Sequence, residues 1–180
     1  MTKVLIPLAD GFEEMEAVIP IDMFRRAGWT VVAAGMTDAA VTASRGVRLV
    51  PDKSWKDIVP SSFDILVLPG GAKGAQFLAS NHEILAAVRD FAKANKIVAA
   101  ICAAPLVLQA AGVLAGKRAT CHPAVTAQMK ACTILNDAVV IDGNIVTSRG
   151  AGTAFEFALT LIEIVDGPVK AQSIAESIVL

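Results

Sequence analysis

Residues 98–112, "VAAICAAPLVLQAAG", join an apolar run to a helical pattern through a single cysteine. The run Ile97–Ile101 is short, apolar throughout and non-alternating, as expected of a strand buried on both faces. Pro105 suits the first turn of the following helix, where its missing N–H is no loss. A buried strand passing directly into a helix points to an α/β fold. Ala100 and Ala104 stand two places either side of Cys102. This is the small-x-nucleophile-x-small spacing of a nucleophile elbow, with alanines replacing the usual glycines. So sharp a turn strains the central residue's backbone and leaves no room for large neighbours. It lifts the cysteine above the sheet, where helix N–H groups and the helix dipole favour a thiolate and any nearby oxyanion. The pentapeptide alone also fits a buried structural cysteine among abundant alanines.

The rest of the chain repeats the alternation. "KVLIPLA" (3–9) reads as a first buried strand and "FEEMEAVIPIDMFRRAG" (12–28) as a helix ending at Gly28, with Pro20 expected to kink or divide it. "WTVVAAG" (29–35) and "FDILVLPGG" (63–71) read as strands, "VRLVPD" (47–52) as a short strand or hairpin, and "HEILAAVRDFAKANK" (82–96) as an amphipathic helix. Two β-rich runs flank Asp142-Gly143 in "AVVIDGNIVTS" (138–148), a hairpin signal, and helices over 152–165 and 169–180 close the chain. Strands alternating with helices predict a mainly parallel sheet covered on both faces, in one domain over residues 1–180. Ligands of such sheets bind at the carboxyl ends of the strands, here Asp10-Gly11, Gly70-Gly71 and Cys102.

Composition narrows the function. Apolar residues make up 54% of the 180 and charged ones 18%, a balance suited to buried strands and an apolar self-association surface. The formal charge of −1 provides no electrostatic footprint for nucleic acid. Cys102, Cys121 and Cys132 form no CxxC, and His82 and His122 lie forty positions apart, which argues against a disulfide framework or zinc site. Cys121 and Cys132 read as structural. The N-terminal apolar run is too short for a secretory signal or a membrane span, so a cytoplasmic protein is expected. No GxGxxG follows the first strand and no P-loop occurs, which disfavours a nucleotide-binding module. Gly70 and Gly71 end the strand beside Cys102, where their N–H groups can serve the same anion. Glu13 and Glu14 read as solvated acids of a first helical turn. Glu16 shares a stripe with Phe12, Ile19 and Pro20, so it is expected to point inward, with a raised pKa and a proton to donate to a thiolate.

The segments "GFEEMEAVIPIDMFRRAG", "ASRGV", "DILVLPGGAKGAQ", "VAAICAAP", "CHP" and "TSRGAGTAFEFAL", in this order across nearly the whole chain, resemble the ThiJ/PfpI superfamily and its parkinsonism-associated deglycase branch. The resemblance implies a flavodoxin-like three-layer sandwich and a homodimer. It implies that Cys102 is an oxidisable nucleophile, that Glu16 hydrogen-bonds it and that His122 stands nearby. By the same resemblance, Gly71 and Ala103 supply oxyanion N–H groups, and Arg26 and Arg45 lie near the dimer interface and the pocket. The implied activity is that of a glutathione-independent glyoxalase and deglycase, acting without metal or organic cofactor on methylglyoxal, glyoxal or their early adducts and protecting against carbonyl and oxidative stress. Nucleic acid enters only as a glycated substrate. A redox sensor or chaperone acting through Cys102 sulfinate is the alternative. Peptidase and glutaminase chemistry are disfavoured, since Ala103 stands where the protease branch has histidine and "HPAV" lacks a His-x-Glu. Ala43 replaces the branch's additional cysteine.

Overall fold

The computed structural model describes residues 1–180. The chain runs β1 (Lys3–Leu8), α1 (Glu14–Arg26), β2 (Thr30–Gly35), β3 (Val41–Thr42), β4 (Arg48–Leu49), β5 (Lys53–Ser54), β6 (Ile65–Leu68), α2 (Ala72–Ser80), α3 (His82–Lys93) and β7 (Ile97–Ile101). It continues with α4 (Pro105–Ala110), β8 (Arg118–Ala119), β9 (Thr133–Ile134), β10 (Val139–Asp142), β11 (Ile145–Ser148), α5 (Ala154–Asp166) and α6 (Pro168–Ser177). Seven strands form one sheet in the order β10-β11-β7-β6-β1-β2-β5, parallel except for the β10–β11 hairpin. The small pairs β3–β4 and β8–β9 lie outside it. No helix is long and apolar enough to cross a membrane.

Strand alternation sorts the apolar residues into two cores. Val4, Ile6, Leu8, Ile65, Val67, Ala99 and Ile101 face the layer that contains Phe24, Phe157 and Leu161, from α1 and α5. Leu5, Leu66, Leu68, Val98 and Ala100 face the opposite layer, with Leu78, Ile84, Phe91 and Leu108 from α2, α3 and α4. This is why the strands read as continuous apolar runs: both pleats are covered. Helix α3 shows the matching pattern, burying Ile84, Ala87, Val88 and Phe91 at spacings of three and four, with Asn81 capping its first turn through the Glu83 and Ile84 N–H groups. Burying a Phe91-sized side chain contributes about 2–3 kcal/mol.

Two local expectations are corrected. Pro20 neither divides nor ends α1, which runs continuously from Glu14 to Arg26, with Pro20 itself buried. Helix α2 was not legible in the sequence: it is nine residues long, starts directly after the glycine pair and carries Gly74 inside. Chain progression reverses at β1, which pairs with β2 on one side and β6 on the other. The loops after β1 and β6 therefore part at a topological switch point, and β7 delivers Cys102 beside them.

Candidate active site

Cys102 has φ +67°, one of three non-glycine residues in the left-handed region. The strain is held from both sides: the Cys102 N–H donates to Ser148 O at 2.9 Å, and the His122 N–H donates to Cys102 O at 2.8 Å. Ala100 and Ala104 are fully buried, so the small residues flanking the elbow reflect space already taken. The Gly71 and Ala103 N–H groups are directed at the sulfur, as the elbow geometry requires.

The glycine pair lets the carboxyl and thiol meet. A Cβ on Gly70 would sit 2.5 Å from Glu16 Oε2 and 2.6 Å from Cys102 Cβ. With no Cβ there, the Gly70 N–H donates to Glu16 Oε2 at 2.9 Å. Gly71 has φ +85°, and a Cβ on it would run into the Gly11 carbonyl. Glycine is thus required at 70 for space and at 71 for both backbone shape and space.

Glu16 is 1% exposed and faces Cys102, as its place in the apolar stripe implied. Burial raises its carboxyl to about 7, helped by the nearby Glu13 charge and opposed by hydrogen bonding to Cys102 and by the Gly70 and Ala151 N–H groups. Its Oε1 is buried without a protein hydrogen-bond partner. Burial, then the Glu16 charge, push Cys102 up to about 12, against the pull of the Gly71 and Ala103 N–H groups. Burial and the neighbouring carboxyl thus oppose the two N–H groups at the sulfur, and Glu16 is placed to exchange a proton with it. The other two acids of this turn have structural partners: Glu13 caps α1 through the Glu16 N–H, and Glu14 accepts from Ser44 Oγ and the Arg45 N–H.

His122 lies at the rim, exposed, with its Nδ1 accepting the Ala124 N–H at 3.2 Å. That bond places the neutral ring's proton on Nε2, making this edge a hydrogen-bond donor. The structure does not bring Arg26 to the thiol within this chain: it is in the last turn of α1, ten residues beyond Glu16, and pairs with Asp22 at 2.7 Å. Arg45 is exposed on the β3–β4 loop, tied through its backbone to Glu14. Cys121 is buried 3.6 Å from Thr126 Oγ1, Cys132 is half-buried, and all three cysteines are free. No group of three or more His, Cys, Asp or Glu side chains is arranged to hold a metal ion. Sequence reasoning missed Ser148 and Gly150: the first fixes the elbow through its carbonyl, and the second borders His122 and Glu16.

A three-layer α/β sandwich with a cysteine at a strained strand-to-helix elbow, a buried carboxyl beside it and two N–H donors on its sulfur defines the class. The chain belongs to the DJ-1/PfpI family, which matches residues 2–164. It is 38% identical over 179 residues to the glutathione-independent glyoxalase DJR-1.2 of Caenorhabditis elegans, covering 98% of this chain and 95% of that protein. It is 41% identical over 177 residues to protein DJ-1 homolog B of Arabidopsis thaliana, covering 97% of this chain; the chain spans only 40% of that plant protein. The crystal structure of Drosophila melanogaster DJ-1beta superposes with a TM-score of 0.95 at 40% identity, covering 99% of this chain and 98% of that one.

Proposed function

We propose that this protein is a cysteine-dependent, glutathione-independent glyoxalase and deglycase acting on small 1,2-dicarbonyls and their early adducts. The observation that carries the reading is the convergence of the Cys102 thiol, the Glu16 carboxyl and the Gly71 and Ala103 N–H groups at one strained turn. The glyoxalase relative from Caenorhabditis elegans supports the same chemistry.

Cys102 sulfur attacks the aldehyde carbon of methylglyoxal while its proton passes to the Glu16 carboxylate. The carbonyl π-bond opens onto oxygen, and the Gly71 and Ala103 N–H groups hold the developing charge. Protonation of that oxygen by Glu16 completes the hemithioacetal. Glu16 then takes the proton from the former aldehyde carbon and returns one to the neighbouring carbon. The second carbonyl oxygen takes a proton from the His122 Nε2–H, and His122 recovers one from the hydroxyl on the former aldehyde carbon as that C=O re-forms. This internal redox shift yields a lactyl thioester, which water hydrolyses to lactate and the free thiol. No external oxidant or reductant is consumed. A Glu16 carboxyl at about 7 is suited to both directions of proton transfer.

The homodimer belongs to the same proposal, supported by Met15 and Val18 on α1 and Phe155 on α5, large apolar residues left 47%, 44% and 37% exposed. A redox-sensing role has its own support: two N–H donors and a protonatable carboxyl match the oxygens of a cysteine sulfinate, formed by successive oxygen transfers from peroxide. The deciding assay follows lactate from methylglyoxal, without glutathione, using reduced protein beside Cys102→Ala. Many turnovers per protein, lost in the variant, are expected. No turnover by verified reduced protein overturns the enzyme reading and favours the sensor.

A further inference from the structure

Three glycines border the thiol site, and only two are demanded by the backbone. Gly70 and Gly71 have no space for a Cβ. Gly150 has φ 166° and ψ −172°, extended geometry open to any residue. A Cβ built there would sit 3.4 Å from His122 Cδ2 and 3.9 Å from Glu16 Oε1, with no other heavy atom within 4 Å. These are ordinary contacts without a clash. The hydrogen bonds of Gly150, its N–H to Thr153 Oγ1 at 3.2 Å and its carbonyl from the Thr153 N–H at 2.9 Å, use main-chain atoms that every residue but proline has. Neither conformation nor backbone packing therefore accounts for the missing side chain.

What its absence leaves is a gap between the His122 ring and the Glu16 carboxyl. The Glu16 oxygen that borders the gap is the one buried without a partner. Once the Gly71 and Ala103 N–H groups hold the attacked oxygen, the rest of a 1,2-dicarbonyl needs another wall of the site. Glu16, Gly150 and His122 form such a wall, with room for a carbon atom above Gly150.

Resting on the dicarbonyl reading, we propose that this gap is the subsite for the substituent on the second carbonyl, and that Gly150 sets the substituent's size. Hydrogen, in glyoxal, needs little of this space; the methyl group of methylglyoxal fills it. A side chain at position 150 would occupy the same volume.

The test compares native protein with Gly150→Ala and Gly150→Ser, all checked for native-like melting. The ratio of kcat/KM for methylglyoxal to that for glyoxal should fall about tenfold or more in Gly150→Ala, the usual scale for one methyl group in a fitted pocket. Glyoxal turnover should fall less than methylglyoxal turnover. A second readout needs no turnover: Cys102 alkylation by iodoacetamide and by bulkier N-ethylmaleimide, followed on the Cys102 peptide by mass spectrometry. The maleimide rate should fall more than the iodoacetamide rate. Unchanged ratios in both assays would overturn the subsite while leaving the glyoxalase reading intact. If native protein turns over neither dicarbonyl, the proposed function fails, and with it the substrate assignment of this gap. The alkylation ratio then decides whether Gly150 sets the room beside Cys102.

Discussion

Replacing Glu16 by glutamine keeps the shape of the side chain and an acceptor for the Gly70 N–H while removing the ionisation. In the folded protein burial holds the carboxyl at about 7, against an ordinary 4.5. The native state thus binds this proton more tightly than the unfolded chain. Its stabilising effect is fully present below about pH 4.5 and is lost as pH rises through about 7. At roughly 1.4 kcal/mol per pH unit, the loss across this window is about 3 kcal/mol. Glu16→Gln carries no such dependence, so its stability relative to native protein should climb by about 3 kcal/mol between pH 4.5 and 8. For a chain of this size that is a change of about 6–12 °C in the difference between the two melting temperatures. Paired urea or thermal denaturation at several pH values measures it, and common groups that do not interact with Glu16 cancel in the difference. A difference that stays flat from pH 4.5 to 8 would refute the reasoning, because Glu16 would then titrate alike in folded and unfolded chains.

The elbow strain is measurable without activity. Cys102→Gly should be more stable than Cys102→Ala by about 1 kcal/mol in urea denaturation, since only glycine accepts φ +67° freely; equal midpoints would mean that the turn carries no strain. Gly71→Ala should cost more than about 2 kcal/mol, through its positive φ and the collision with Gly11. The same variant should slow alkylation of Cys102 by displacing an N–H donor from the sulfur, and a native alkylation rate would remove Gly71 from the site.

Strand and helix periods were legible because they are written locally. Burial on both faces makes β1, β6 and β7 continuous apolar runs, and α3 repeats its apolar face at helical spacing. The elbow was equally legible, since Ala100 and Ala104 stand only two positions from Cys102 and their size is a local demand. The stripe Phe12, Glu16, Ile19 and Pro20 aimed Glu16 inward before any partner was known. Short elements escaped: two-residue strands such as β8 and β9 are defined by their partners, and α2 begins where glycines usually end structure.

Sequence by itself determined the fold class, the cysteine at the elbow and the inward carboxyl. Tertiary structure decided how they act. Strand order put the loops after β1, β6 and β7 together across a hundred residues, and Gly70 let Glu16 and Cys102 close to contact. That contact, with burial, opposes the pull of the helix-terminal N–H groups on the Cys102 proton. A helix terminus is a local feature, whereas desolvation and a neighbouring charge exist only after distant segments have packed. Arg26 shows the same limit: a charge on α1 is visible in the chain, but its pairing with Asp22 belongs to the folded molecule.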